Sequence, residues 1–108
     1  MRFKLVESLE DIQADYANKQ AQLEEIKKIF YEADFLEYNK PNGIAFEKDL
    51  DDEENNYKAQ FYIDTTAYVY SCYITVTTGA SQVNYASKGD FSNLIPAVNR
   101  FLDELNKI

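Results

Sequence analysis

A long amphipathic stretch in the first third of the chain constrains the fold most. Apolar side chains recur every seven residues from Leu9, and a second series, offset by three, begins at Ile12. This pattern predicts a helix that begins after an N-cap at Ser8 and runs to about Asp34. Such a helix is about 40 Å long, whereas a compact domain of this length has a radius of gyration of about 13 Å. The helix should therefore overhang its own core.

The two halves of this stretch differ in the width of their apolar stripe. In the second half Ile29 widens the stripe, which is typical of a helix that packs on a core. The first half is narrow, as in a seam between two helices, and a break near Asn18 is the alternative. Residues 2–6 alternate and predict either a short edge strand or a frayed lead-in. The candidate seam residues are Leu9, Ile12, Tyr16, Lys19 and Leu23.

The middle of the chain has the alternation of β-strands. Turn chemistry at 40–43 is followed by four strand-like segments, and a second turn is expected at 78–81. The four segments are residues 44–50, 57–63, 68–77 and 82–86. They predict a four-stranded antiparallel meander with one apolar face, to which Tyr68 and Tyr70 belong, and one wet face.

The last segment predicts a second helix with a wide apolar stripe from Leu94 to Ile108. Pro96 is tolerated only in the first turn, so Ser92 or Asn93 is the expected N-cap, rather than Asp90. The whole chain, residues 1–108, is then a single α+β domain. Its order is long helix, four-stranded meander, helix, with both helices on one face of the sheet.

The amino-acid composition excludes most kinds of catalytic site. The chain has no histidine, one cysteine and three glycines, so histidine-dependent triads and structural zinc sites have no ligands. The acidic segment after Asp49 departs from a calcium-binding EF-hand loop, because Glu54 and Gln60 stand where glycine and glutamate are required. We expect no enzyme activity, no metal and no cofactor, and rank a carboxylate-based enzyme last.

The net charge of the chain limits the kinds of partner that it can bind. The net charge is −8, from 19 acids against 11 bases, which opposes binding to nucleic acid or to an anionic membrane surface. The start of the chain has no signal-peptide pattern, and no apolar run is long enough to span a membrane. The lone Cys72 lies in an apolar strand and is expected to be a buried, inert thiol. These features favour a cytoplasmic location.

Two surfaces are candidates for protein contact. The first is the acidic connector, which is either a recognition surface or only a solvated loop: Asp49, Asp51, Asp52, Glu53 and Glu54. The second is the wet face of the sheet, where Tyr62 and Tyr73 accompany Val69. Tyrosine is enriched at interfaces, although ordinary cross-strand packing is the alternative for these rings.

The composition favours a small acidic protein that acts by binding another protein with a basic surface. By analogy of size and charge, it would be an inhibitor from a phage or mobile element that competes with phosphate for a nucleic-acid-binding target. An immunity or antitoxin-type protein would bind its toxic enzyme by the same charge complementarity. A structural or assembly protein that forms a homodimer through its N-terminal helix is the alternative from another class.

Overall fold

The fold is α+β, as predicted, with two helices and a five-stranded antiparallel sheet. The computed structural model describes the backbone of residues 2–51, 56–78 and 80–107, and the side chains of residues 16–51, 56–77 and 84–107. Helix α1 is Arg2–Glu32, and helix α2 is Leu94–Asn106. The strands are β1 (Leu36–Lys40), β2 (Gly43–Asp51), β3 (Asn56–Asp64), β4 (Val69–Thr78) and β5 (Ala80–Asp90). They pair in chain order, β1-β2-β3-β4-β5.

The prediction of four strands was wrong because β1 was missed. This edge strand pairs residue for residue with β2, from Leu36 opposite Glu47 to Lys40 opposite Gly43. It is short and exposed along its whole length, so it lacks the buried apolar face that usually reveals a strand. The residues of the predicted turn at 78–81 also differ, since Thr78 ends β4 and Ala80 begins β5, while Gly79 lies outside the described residues.

Helix α1 is continuous and longer than predicted. It begins at Arg2 rather than after Ser8, and residues 2–6 are helical, because the strong helix formers in this segment continue the helix upstream of the serine. The break considered at Asn18 does not occur. The Cα atoms extend over 64 × 25 × 22 Å with a radius of gyration of 16.9 Å. A 31-residue helix of about 46 Å exceeds both short dimensions, so α1 follows the long axis.

The core lies between the helices and one face of the sheet. The ring of Phe30 in α1 contacts Phe46 of β2 at 4.5 Å between centroids and Phe61 of β3 at 5.5 Å. Phe101 of α2 contacts the rings of both Phe30 and Phe61. Both helices therefore pack on the face that carries Phe61 and Cys72, which we call the core face. The opposite side is the open face.

Helix α1 ends in a left-handed cap at Asp34. Its φ is 65°, its N–H bonds the carbonyl of Tyr31, and the N–H of Phe35 bonds the carbonyl of Phe30. This double hydrogen bond is a Schellman motif, and the ring contact of Phe30 with Phe35 at 4.8 Å is its usual hydrophobic accompaniment. The cap turns the chain into β1.

A lysine from the sheet completes this helix end. The Lys48 ammonium, on the core face of β2, donates to the carbonyl of Ala33 at 2.9 Å and lies 5.8 Å from the ring centroid of Phe35. A cation at the C-terminus of a helix is stabilising, because it satisfies a carbonyl that has no partner within the helix.

We predict that Asp34→Gly stabilises the protein. A non-glycine residue at positive φ is disfavoured by its Cβ, and glycine removes this cost. The expected gain in the free energy of unfolding is about 1 kcal/mol, measured by urea denaturation. Asp34→Ala keeps the Cβ and should give no gain. A loss of stability in Asp34→Gly would contradict the assigned cap.

Helix α2 begins as predicted, at an Asn93 N-cap with Pro96 in the first turn, but that asparagine makes no side-chain cap bond. A 3-10 turn, Phe91–Asn93, precedes the helix. The carboxylate of Asp90 accepts hydrogen bonds from the backbone N–H and hydroxyl of Ser92. Asp90 therefore caps the turn that leads into the helix, which the proline argument did not foresee.

The strand pattern predicted Tyr68 as the first residue of β4, but β4 begins at Val69. Tyr68 is half-buried in the turn between β3 and β4, with a φ of 57°. The Asp64 carboxylate holds this turn by accepting the N–H groups of Thr66 and Ala67, both at 2.8 Å. The Tyr68 ring packs edge-on against Phe91, and the Lys19 ammonium of α1 lies 4.3 Å above it. These contacts stabilise a conformation that is rare for a bulky residue.

Candidate interaction surface

The open face brings three tyrosines into one patch. Cross-strand pairing places Tyr38 of β1 beside Ala45, and Ala45 beside Tyr62 of β3. Tyr73 lies opposite Gln60, two residues from Tyr62, so the Cα atoms of the two tyrosines are diagonal neighbours about 7–8 Å apart. The alanine is fully buried, although both helices lie on the other side of the sheet. Its direct cross-strand neighbours are tyrosines, which shield it from solvent.

Exposed aliphatic side chains border this patch. Leu36 is 62% exposed and Val69 is 40% exposed, and the register places both on the open face. Tyr62 and Tyr73 are half-buried. Large apolar groups that remain exposed in one contiguous area are typical of a contact surface for another protein.

The acidic connector is shorter than predicted, because β2 continues to Asp51 and β3 begins at Asn56. Asp49 and Asp51 lie on the open face and line one groove together with Lys58 and Tyr73. The two surfaces predicted separately therefore meet at this end of β2. Asp52, Glu53 and Glu54 lie outside the described residues.

A second groove crosses the other end of the open face. Tyr62, Val69 and Lys88 line it, with Asp64 and Asp90 at its margin. Both of these carboxylates also hold local turns. Hydrogen bonds from the hydroxyl and then the backbone N–H of Ser92 lower the pKa of the Asp90 carboxyl. Asp90 therefore keeps its negative charge at a lower pH than an ordinary aspartate does.

The open face carries more acidic than basic side chains. Its charged positions are Glu47, Asp49, Asp51, Asp64 and Asp90 against Lys40, Lys58 and Lys88. Lys58 and Glu47 form an ion pair at 3.8 Å. Pairs this exposed contribute little to stability, so the excess of acids mainly gives the face a negative potential.

The five residues predicted to form a helix seam do not share one environment. Leu23 is buried in the core of its own chain, so it is not available to a seam between chains. Lys19 is half-buried and contacts Tyr68, whereas Tyr16 is 57% exposed. Leu9 and Ile12 lie in α1, but their side chains are outside the described part of the structure. A seam could involve only the part of α1 before Lys19.

Cys72 is buried on the core face, as its strand pattern predicted. Burial raises the pKa of this thiol from 9.0 to about 11, against a smaller lowering by a backbone hydrogen bond at Ser87. A thiol with this pKa is protonated at neutral pH and unreactive.

We predict that stability decreases as the pH rises from 9.0 towards 11. The unfolded chain releases the Cys72 proton at a lower pH than the folded chain does, so alkaline pH favours the unfolded state. Burial raises the pKa of Tyr57 and of Tyr85 in the same direction. Melting temperatures across this range should decrease less steeply for Cys72→Val than for the original protein. Equal slopes would contradict a buried thiol.

Sequence reasoning missed Leu36 and Tyr38 because it missed β1. The signal was a short alternation, Leu36 and Tyr38 against Glu37 and Asn39, directly before the Pro41-Asn42 turn. An alternating segment on each side of a two-residue turn is a hairpin pattern. Here the apolar members of β1 point to the open face and its polar members to the core side, the reverse of β2 to β4.

Three further observations bear on the type of site. Within the described residues, no group of three or more histidine, cysteine, aspartate or glutamate residues is arranged to hold a metal ion. No helix in the described part of the chain is long and apolar enough to cross a membrane. Comparison with protein-family models, curated proteins and solved structures finds no match to this chain.

Proposed function

We propose that this protein is a non-catalytic binding protein that contacts another protein through the open face of its sheet. The observation that carries this proposal is that exposed apolar groups, tyrosines and carboxylates lie together on a face that neither α1 nor α2 covers. Tyr38, Tyr62 and Tyr73 supply large contact area at low entropic cost. Asp49 and Asp51 lie at the edge of the same area. This combination suits a partner with an apolar centre and a basic rim.

The net charge of −8 supports a basic partner. Acidic rim residues would increase the association rate with such a surface, because opposite potentials steer the encounter. A nucleic-acid-binding protein has such a surface, and a small acidic protein can compete with phosphate for it. An inhibitor from a phage or mobile element, acting in the cytoplasm, is the specific form of this proposal. An immunity or antitoxin-type binder is its close variant.

A structural protein that assembles through α1 is a second candidate. The observation that favours it is the length of α1, 31 residues in a molecule 64 Å long. Its heptad pattern before Lys19 is typical of a helix that pairs with another helix. Ionic strength separates the candidates, because charge-steered binding to a basic partner weakens steeply with salt, whereas association of two acidic copies through an apolar seam does not weaken.

The test compares capture by immobilised protein and two variants, from the cells that produce it. The double variant Tyr62→Ala with Tyr73→Ala removes the centre of the open face. Tyr31→Ala is the matched control, because this tyrosine is 82% exposed on α1, outside the open face. We expect a protein that is retained by the original and by the control but not by the double variant. Equal retention by all three would contradict the open face as the contact.

A charge variant tests the basic partner. Replacing Asp49, Asp51, Asp52, Glu53 and Glu54 by Asn or Gln should leave the melting temperature nearly unchanged. Asp49 and Asp51 are exposed, and exposed substitutions usually change stability by about 0.5 kcal/mol or less each. The same variant should associate more slowly with the captured protein, and the rate should depend less on salt. An unchanged rate would contradict a basic partner while leaving the tyrosine contact intact.

A further inference from the structure

The outer edge of β1 is a free strand edge. The strand ends the sheet, and its five residues are all exposed. No element among the residues that the structure describes pairs with this edge. Natural edge strands are usually protected by a bulge, by inward-pointing charges or by a proline within the strand. The regular pairing of β1 with β2 contains no bulge, and Pro41 lies after the strand, so the only such protections in β1 are the charges of Glu37 on the core side and of Lys40 at its end.

Exposed apolar side chains concentrate at this edge. Leu36 and Tyr38 are 62% and 42% exposed on the open face, and Tyr31 is 82% exposed on the helix side. Beneath Tyr31 a groove separates α1 from β1, and Phe35 and Phe46 contribute to its lining. The edge therefore carries exposed apolar side chains on the open face, whereas charged residues, Glu37 among them, line most of the groove on the helix side. Exposed apolar side chains next to an unpaired strand edge are typical of a contact surface.

The sequence of β1 is compatible with antiparallel pairing to a second copy of itself. When two copies are related by a twofold axis at Tyr38, Tyr38 lies opposite its equivalent, Glu37 opposite Asn39, and Lys40 opposite Leu36. In this register no two like charges are directly opposite, and each residue meets one from the same face of the sheet. An axis at Glu37 would instead place the two Glu37 carboxylates against each other. The register at Tyr38 is therefore favoured over that at Glu37, and only an axis at this central residue pairs all five residues of the strand.

We infer that two copies of this chain associate through β1 into a continuous ten-stranded sheet, with a twofold axis at Tyr38. The pairing satisfies the unpaired backbone groups of both edges and covers Leu36 and Tyr38 of each copy. It also joins the two open faces into one surface. The inference does not depend on the proposed function, since it concerns an edge of the sheet and a partner that is the chain itself.

The contact is small, so the dimer should be weak. Five residues of strand are about 17 Å long. A sheet layer of about 10 Å and a helix layer of about 10 Å make the edge about 20 Å deep, which gives about 700 Å² over both copies. This is below the size of a standard stable interface. The net charge of −8 on each copy adds repulsion. Self-association should therefore increase with salt, which screens this repulsion. Binding to a basic partner should instead decrease with salt.

Disulfide trapping tests the register. Whether the two Tyr38 residues form a hydrogen-bonded or a non-hydrogen-bonded pair, their Cα atoms would be about 4.5–5.5 Å apart, which is within the range of a disulfide. Tyr38→Cys should therefore form a covalent dimer under mild oxidation. Lys40→Cys is the matched control, because the two copies of residue 40 would be about 14 Å apart. The double variant Leu36→Cys with Lys40→Cys should cross-link again. The native Cys72 is buried and does not compete.

Sedimentation of the uncross-linked protein over a wide concentration range gives a second readout. Leu36→Lys should raise the dissociation constant of the dimer about tenfold or more, because a charged edge residue opposes pairing. Val69→Lys, on the same face but away from the edge, and Tyr16→Lys, on α1, should leave it unchanged. The inference is overturned if Tyr38→Cys and Lys40→Cys cross-link equally or not at all, or if Tyr16→Lys alone abolishes association.

Discussion

Phe30→Ala should lower the free energy of unfolding by about 3–5 kcal/mol, the usual cost of removing a buried phenylalanine. Phe30 is fully buried and contacts four other rings at centroid distances between 4.5 and 6.1 Å. These rings come from the α1 cap, β2, β3 and α2, so one side chain connects both helices to the sheet. Because such a domain is stable by only about 5–15 kcal/mol, the variant should be close to unfolding at room temperature.

Tyr31→Ala is the matched control for this prediction. Tyr31 is the next residue of α1 and is mostly exposed, so its removal should change stability by about 0.5 kcal/mol or less. Urea denaturation followed by circular dichroism measures both variants under the same conditions. Similar midpoints for the two variants would contradict the orientation of α1, because that orientation alone distinguishes the two neighbours.

Gly43→Ala should also destabilise the protein strongly, by about 3 kcal/mol. A Cβ at this position would lie 2.0 Å from the carbonyl oxygen of Ile63 and 3.0 Å from its carbonyl carbon. Both are backbone atoms of the neighbouring strand, and Gly43 pairs with Lys40 on one side and Asp64 on the other. The added methyl group must therefore separate the strands where the first hairpin turns.

Gly89→Ala provides the comparison. A Cβ there would meet the ring and hydroxyl of Tyr70 at 2.7–2.9 Å, and a side chain can rotate where a backbone carbonyl cannot. The loss should therefore be smaller than for Gly43→Ala. Equal losses, or a Gly43→Ala variant as stable as the original protein, would contradict the close approach of β2 to β3.

The elements with a buried face could be predicted from sequence. The alternation of β3 and β4 and the wide apolar stripe of α2 each indicate burial on one side. The predicted bounds of these three elements were therefore correct to within a residue or two. β1 could not be recognised in the same way, because its apolar residues Leu36 and Tyr38 do not face the core. The start of α1 was wrong because Ser8 is compatible with a cap but does not require one.

The candidate surface was only partly predictable. Alternation alone placed Tyr62, Tyr73 and Val69 on the face opposite the core, where the register also places them. The meeting of Asp49 with Tyr73 depends on the pairing of three strands, and local patterns do not determine cross-strand register. For the same reason, local patterns did not indicate that Tyr38 lies in the same cross-strand row as Tyr62.

Photocross-linking tests the central claim, that the open face contacts a partner protein, most directly. A benzophenone amino acid replaces Tyr73 at the centre of the face or, as the control, exposed Asn99 on α2, on the other side of the sheet. Irradiation in the cells that produce the protein should join the residue 73 variant, but not the residue 99 variant, to one other protein with a basic surface. Cross-links from residue 99 to that protein, with none from residue 73, would contradict the claim.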